Sequence, residues 1–541
     1  MKKKVCALIL TLTCFLLTAG CGGKQEASSS AAPPSTASSA GGSASAYNGK
    51  DNLKVAEKPI TVKLFYPFGG TGAPKGDMPV WKKAAEITNV SMENVANESI
   101  TDEQQSLNTM LSSGELPDII QSKRLLLTPI VEQGALIPLD DLIDRYAPNI
   151  KKFFEDYPDA KPACSGTDGK IYFVTGTLGA DPGEYLPSQG FFIRQDWLDK
   201  LHLKMPTTLE EYKKVLYAFR NDDPNGNGKK DEIPYFFRGD KGVGGLYQLW
   251  NAHNDYYVGS DGKVHYGRAE AEYKTALKEL SQWYKDGIID PEIFTRGMQA
   301  RQFLLGNDLG GSTMDWFAST GQMNDTVKKQ VPGINFVAIA PPADVNGKVK
   351  QIYTRDQIHT YGWGISKDCK DPVSVVKYMD FFMSEVGRTL WAYGIEGKSY
   401  TMENGAPKLT KEALSYSGGF PEYLRSIGAG YEIGAYESII GEESSMNKQA
   451  KEGFELYQKN SDWLQKPFPS LSFTAEEKKE IDNTTPNLTT YMNEYEQKCL
   501  MGAQNIDSTW DNYIQQLNKM GMDKVLAAYN SAYARYEANA E

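Results

Sequence analysis

The sequence predicts an α/β protein with a mainly parallel sheet and a helical C-terminal tail. Three observations carry this. Residues 58–146 alternate β-patterned runs with helix-patterned runs. Residues 473–536 keep helical spacing, opening on Thr474 as an N-cap with acids in the first turn. At 541 residues, with 40% hydrophobic and 11% aromatic content, the chain is long enough for two or three packed domains.

The chain begins with Lys2, Lys3 and Lys4, an apolar run from Val5 to Leu17, and Thr18-Ala19-Gly20-Cys21. A basic head, a short apolar core and small residues before a cut mark a secretory signal over residues 1–20. The run is shorter than the roughly 20 apolar residues a permanent span needs. Ala-Gly-Cys resembles a bacterial lipobox, in which Cys21 takes the lipid and becomes the mature N-terminus. Thr18 stands where the lipobox usually has Leu. Residues 21–57 then read as a Ser/Ala/Gly/Pro tether with little to bury. The expected location is the outer face of the cell membrane, held by the lipid.

Net charge is −11, and losing the three lysines of residues 1–20 takes it to −14. A chain this acidic lacks the basic footprint that phosphate binding needs, which excludes nucleic acid as a partner. Cys164, Cys369 and Cys499 remain after Cys6 and Cys14 leave with the signal, at spacings unlike a metal or redox motif.

In order, KPITVKLFY (58–66) alternates like a half-buried strand. The glycine-rich stretch after Pro67 lacks the Gly-Lys-Ser/Thr of a phosphate loop. A helix over 81–87, a strand over 90–95, a helix over 102–113, a strand from Leu116 and a helix ending at Tyr146 follow. Tyr66 and Phe68 sit where the first strand ends, and open α/β sheets bind ligands beyond such ends. Packing beneath the loop is the alternative for both. Residues 223–232, DPNGNGKKDE, place oxygen side chains at alternate positions. Asp223, Asn225, Asn227 and Asp231 stand at positions 1, 3, 5 and 9 of an EF-hand count, with Gly228 sixth and Lys229 seventh, where a carbonyl is the ligand. Pro234 holds the twelfth place, so this is no true EF-hand; a plain polar turn is the other reading. An aromatic-rich stretch follows, from which Trp250 is a candidate for a binding surface. The helix 272–285 presents Trp283 on its apolar side, as core.

Several phrases, in order, resemble the extracellular solute-binding proteins (family 1) of bacterial ABC importers, in their oligosaccharide- and alginate-binding branch. They are SSGELPDII, EQGALIPLDDLIDRYAPNI, DGKIYFV (168–174), FIRQDWLDKLHLKMPTTLEEY (192–212), PGINFVAIAPP (332–342), YGWGIS (361–366), YGIEGKSYTMENG (393–405) and the C-terminal 510–536. The resemblance implies a bilobal, type II periplasmic-binding-protein-like fold with a helical C-terminal extension. It implies three crossings, near residues 186, 336 and 387. One lobe would hold 58–186 and 337–387, the other 187–336 and 388–541. It also implies structural Ca²⁺ in the 223–232 loop, with Glu232 completing the set. By the same resemblance Trp316 faces the cleft as a stacking platform, with Asp315, Arg194 and Arg355 as hydrogen-bonding partners, although each taken alone reads more readily as a surface or structural residue. Trp363 and Tyr393 are lesser candidates. The implied function is capture of an oligosaccharide and its delivery to ABC permease subunits. A peptide or other organic solute is the alternative guest. A glycan-degrading enzyme is the remote reading: no Gly-x-Ser-x-Gly elbow or His-Glu-x-x-His appears, and no carboxylate pair stands out.

Overall fold

The computed structural model describes residues 47–67, 72–179, 185–239 and 243–540. Cys21, the signal and Phe68 lie outside them. The strands, in chain order, begin with β1 (Ile60–Phe65), β2 (Val90–Asn94), β3 (Ile119–Lys123) and β4 (Val174–Thr177). Then come β5 (Leu186–Pro187), β6 (Gln189–Arg194), β7 (Ile233–Tyr235), β8 (Tyr256–Val258) and β9 (Val264–Tyr266). β10 (Gly310–Trp316), β11 (Phe336–Ile339), β12 (Thr354–Arg355) and β13 (Ile358–Ile365) follow.

The first sheet has the order β2–β1–β3–β13–β4. Its first three strands are parallel, because the helices Pro79–Thr88 and Glu103–Ser113 carry the chain back each time. The alternation read from the sequence sets these elements within two or three residues of their observed bounds. β13 enters antiparallel between β3 and β4. The second sheet runs β11–β6–β10–β7, with β6 antiparallel to both neighbours and β10 parallel to β7.

Chain order ties the sheets together. The chain leaves the first sheet after β4 and enters the second at β6; it leaves after β11 and returns at β13. The two passages meet as a short antiparallel ladder, β5 on β12, pairing Pro187 with Thr354 and Leu186 with Arg355. The return falls later than the expected residue 336, because β11 first pairs with β6 along Phe336–Ile339.

Three apolar clusters form the interior. The first holds Leu64, Ile120, Trp363 and the helix Pro372–Met383, whose aromatics pack inward as its periodicity requires. It also holds Trp391, Phe420, Leu424 and Ile433. Residues 388–435, expected with the second sheet, therefore pack on the first. Trp391 is edge-on to Trp81 at 5.6 Å and to Phe382 at 5.5 Å. Gly434 is needed here: a Cβ on it would lie 2.4 Å from the Trp363 indole nitrogen.

The second cluster joins Phe191, Trp197, Tyr212, Trp250, Trp283 and Met314 to the tail helices through Leu488, Tyr495, Trp510 and Tyr513. The first tail helix, Ala475–Leu500, starts with a complete capping box, Thr474 with Glu477. The last helix, Met522–Ala540, gives Val525 and Ala528 to this cluster and Ala532 and Tyr536 to the first. The third cluster packs Phe192, Phe236, Phe317 and Phe336 against the helix Lys448–Gln458. Tyr457 fixes that helix: its hydroxyl donates to the Ile339 carbonyl (2.8 Å) and accepts from the Phe191 N–H (2.9 Å).

The buried carboxylate of Asp380 is satisfied across a long sequence separation. Asp380 accepts the Asn149 and Ile150 N–H groups at 2.8 Å each, at the start of the helix Pro148–Asp156. Its other oxygen takes the Tyr47 hydroxyl at 2.6 Å. Cys164, Cys369 and Cys499 are free thiols. Among the described residues no helix is long and apolar enough to cross a membrane.

Trp391→Ala should cost about 3–5 kcal/mol, the range for emptying an aromatic site in a core. Denaturant unfolding measures it; a loss under about 1 kcal/mol would mean that 388–435 is not packed on the first sheet.

Candidate binding site

The C-terminal ends of the first-sheet strands form one wall. Tyr66 follows β1 and is edge-on to Tyr431, with ring centroids 5.6 Å apart. Its hydroxyl accepts the Glu432 N–H at 3.3 Å, and the Gln121 side-chain amide from β3 donates to the Glu432 carbonyl. Two strands thus hold Glu432 by its backbone and leave its carboxylate to the opening. A cavity of about 140 Å³ lies here, lined by Tyr66, Glu103, Gln121, Tyr361, Arg425 and Glu432 among others. Glu103 is paired with Lys123 at 2.9 Å, and Arg425 with Glu422 at 2.8 Å.

The segment after Glu432 runs from this wall toward the crossing strands. The Glu437 N–H donates to Thr177 at the end of β4 (2.9 Å), and its carboxylate lies 3.3 Å from His359 Nε2. Burial works against protonation of His359, but Glu437 and then Glu432 outweigh it and raise its pKa above the usual value. Burial likewise raises the Glu432 carboxyl; His359 opposes the rise and Glu437 adds to it. Five residues beyond Glu437, Glu442 takes both guanidinium ends of Arg355, at 2.6 and 2.7 Å.

Arg355 lies over the Trp316 ring, 5.4 Å from its centroid. Trp316 ends β10 and stays 41% exposed, though the rest of that strand is buried. An exposed indole held in place by a guanidinium is a preformed flat platform. Behind it, Asp315 is fully engaged: Arg238 binds both its oxygens at 2.8 Å, and Arg301 one of them at 2.8 Å. The Trp316 N–H adds a fourth contact at 2.8 Å.

Several expected site residues therefore stand elsewhere. Asp315 has no oxygen left for a guest and instead positions two arginines. Arg194 is 1% exposed, bound to Asp196 and Asp308 and stacked 4.5 Å over Trp197. Trp250 packs edge-on to Trp283 in the second core, and Trp363 is buried against Phe382 in the first. Tyr393 is half-buried beside Tyr400. Tyr66, Trp316 and Arg355 border the strip. Gln121, Tyr361, His359, Glu432, Glu437, Glu442 and Arg238 were missed. No local pattern marks them, since they meet only through tertiary contacts.

A larger opening, about 1600 Å³, lies beside the β8–β9 hairpin and the tail helices, among His253, Tyr256, Arg268, Tyr353, Phe468 and Tyr536. Arg268 and Glu496 pair in it at 3.6 Å, and His265 lies between Asp261 and Glu270. It is not at the C-terminal ends of the sheet strands, where open α/β sheets place ligands, and it offers no platform like Trp316.

The 223–232 loop is built as its spacing suggests. Asp223, in left-handed backbone (φ 45°), accepts the Asn227 and Gly228 N–H groups at 3.1 and 3.0 Å. Asp231 receives the side-chain amides of Asn225 and Asn227 at 3.3 and 3.1 Å. Glu232 is fully buried, and neither carboxylate oxygen has a hydrogen-bond partner. Burial, then Asp223 and Asp231, push its pKa up. A buried carboxylate beside two others is costly unless a cation joins them. The oxygen-only donor set fits a hard cation. Among the described residues no three or more His, Cys, Asp or Glu side chains converge on one point, so such an ion would also need the Asn oxygens and the Lys229 carbonyl.

Comparison with known proteins finds relatives among characterised binding proteins. The fructooligosaccharide ABC transporter substrate-binding protein FusA of Streptococcus pneumoniae is 28% identical over 463 residues, 80% of this chain and 82% of FusA. A crystal structure of an alginate-binding protein without calcium ion is 34% identical, covers 90% of this chain and all of its own, and has a TM-score of 0.70. Lipoprotein LipO of Bacillus subtilis is 23% identical over 388 residues, 68% of this chain and 74% of its own. An EF-hand mutant of FusA with fructo-nystose shares the fold at a TM-score of 0.64, covering 89% of this chain and all of its own at 24% identity. Residues 469–538 match a domain of unknown function. Residues 73–389, more than half of the chain, match the family model for bacterial extracellular solute-binding proteins. With two sheets joined by paired crossings and a platform at the strand ends, the chain belongs to the bacterial extracellular solute-binding proteins.

Proposed function

We propose that this protein is a lipid-anchored receptor on the outer face of the cell membrane that encloses an oligosaccharide and passes it unaltered to an ABC permease. The observation that carries this reading is Trp316, exposed at the end of β10 and braced by Arg355. Sugar rings present apolar C–H faces that pack on an indole, and their hydroxyls need directional partners. Glu432 and Tyr361 supply such partners on the other wall, with Gln121 holding Glu432 in place. The two lobes are the bodies built on the two sheets, with β5, β12 and the stretch after Ala435 as the connections that bend. A guest touching both walls favours the closed form by the contacts made only there. Cys21 carries the lipid, and the tether expected over residues 21–57 ends sooner, because Tyr47, Leu53 and Val55 already pack on the first core.

Calcium, when bound, supplies a fixed double positive charge to the 223–232 loop. Asp223, Asn225, Asn227, Asp231, Glu232 and the Lys229 carbonyl would hold it. The Glu232 carboxylate then gains the counter-charge it lacks, and the loop between the helix Leu209–Asn221 and β7 is pinned. The alginate-binding relative described without its calcium ion and the EF-hand of FusA support this assignment.

Trp316→Ala should weaken binding of the best oligosaccharide by tenfold or more in calorimetric titration, with an unchanged melting point because the ring is exposed. Undiminished affinity would remove the platform. Calcium at about 100 times its Kd should add about 2.7 kcal/mol of stability. Chelator should lower the melting point and calcium restore it, whereas Glu232→Gln should respond to neither. A melting point indifferent to chelator in the wild type would leave the loop a plain turn. The raised His359 pKa gives a pH signature. Its contribution to stability is complete below about pH 6.5, the unfolded value, and fades as pH climbs through the higher folded value. His359→Gln should flatten that part of the melting-point curve; identical curves would mean that His359 is not coupled to Glu437 and Glu432.

A further inference from the structure

We propose that the guest is an uncharged oligosaccharide and that Glu432 is the residue that turns uronates away. This rests on the glycan-receptor reading above and narrows it. The resemblance does not decide the point, since one relative is named for fructooligosaccharide and another for alginate.

The charges along the strip decide it. A polyuronate carries one carboxylate per sugar, so a site for it must hold spare cations. Here the accessible guanidinium forks are already occupied by the protein's own acids, and Arg124, whose nitrogens make no hydrogen bond, is buried with its charge matched by Asp356 at 3.6 Å. Arg238 and Arg301 converge on Asp315, Arg355 is bidentate on Glu442, and Arg425 is on Glu422. Drawing one away toward a uronate would strand a carboxylate in a partly desolvated place. Lys123 is likewise taken by Glu103. With His359 protonated, the cations and carboxylates of the strip cancel among the described residues; with it neutral, the balance is negative. The chain as a whole is acidic as well, so its long-range field does not draw in a polyanion.

Glu432 is the group that is out of balance. It has no lysine or arginine within ion-pair distance among the described residues. His359, the cation that acts on it most, is paired with Glu437. The Glu432 backbone is held by Tyr66 and Gln121, which fixes the root of the side chain in this wall, and the Tyr361 hydroxyl bonds its carboxylate. Beside the ring of an uncharged sugar this carboxylate accepts hydroxyl donors, the strong charge-assisted kind. Beside a uronate it meets a like charge in a place where water is being expelled.

The test uses the full mature chain and length-matched trisaccharides. Neutral members built of fructose, glucose, xylose or mannose are compared with trigalacturonate and a trisaccharide of mannuronate, by calorimetric titration. We expect a neutral member to bind and both uronates to bind at least 100-fold more weakly. Glu432→Gln should narrow that ratio at least tenfold, partly by weakening the neutral guest. A uronate bound as tightly as the best neutral sugar would overturn the inference while leaving the glycan receptor standing. So would an unchanged ratio in a Glu432→Gln protein that melts as the wild type does. If no glycan of either kind binds, the receptor reading falls and takes this inference with it. The wild-type comparison needs no variant, so it holds even if Glu432→Gln proves unstable.

Discussion

Pairing of β5 with β12 is the constraint on which the remaining architecture depends. The chain passes from one sheet to the other and back, and the two passages are hydrogen-bonded to each other at Leu186–Pro187 and Thr354–Arg355. That ladder sets Arg355 where its guanidinium can lie over Trp316 and reach Glu442. A short antiparallel ladder with a few backbone hydrogen bonds is stiff along the strands and compliant about them. It can bend without losing its pairing, which suits the closure proposed above. The last tail helix adds a second link, since Tyr536 packs in the first core and its hydroxyl reaches Asp159.

The site is polar yet largely self-satisfied, and the two properties have one cause. Charged side chains at the mouth of a groove lose water when the groove closes, and a charge left alone there is expensive. The chain answers by matching each arginine with its own carboxylate before any guest arrives. Such pairs are rigid and directional, so they serve as fixed walls. What remains for recognition is a flat aromatic face and a few acceptors. The calcium-type loop uses the opposite strategy. Glu232 is buried without a hydrogen-bond partner, and the calcium proposed above would supply the counter-charge.

Much of the local structure was legible from the residues. β1, β2 and β3 with their helices follow from alternating and helical periodicity, and Thr474 with Glu477 announced the tail helix. Trp283 was legible as core because it shares a helix face with Leu277 and Leu280, all three buried in the structure. Trp316 was singled out by resemblance to relatives, not by its own surroundings. Asp315 beside it was open to two readings, guest partner or structural residue, and the structure favours the second through partners 77 and 14 residues away in the chain. Arg194 was open in the same way until Asp308 is brought beside it.

The sequence by itself determined the local elements, the acidic balance that excludes nucleic acid and the oxygen ladder of the 223–232 loop. These are properties of neighbours, and near-neighbour sterics and spacing are enough to set them. Tertiary structure alone decided that Tyr66, Gln121, His359 and Glu432 share one wall, that residues 388–435 side with the first sheet, and which charges remain unmatched. Electrostatic matching depends on distance in space, and a linear order carries no distance between residue 121 and residue 432 until the sheet has formed.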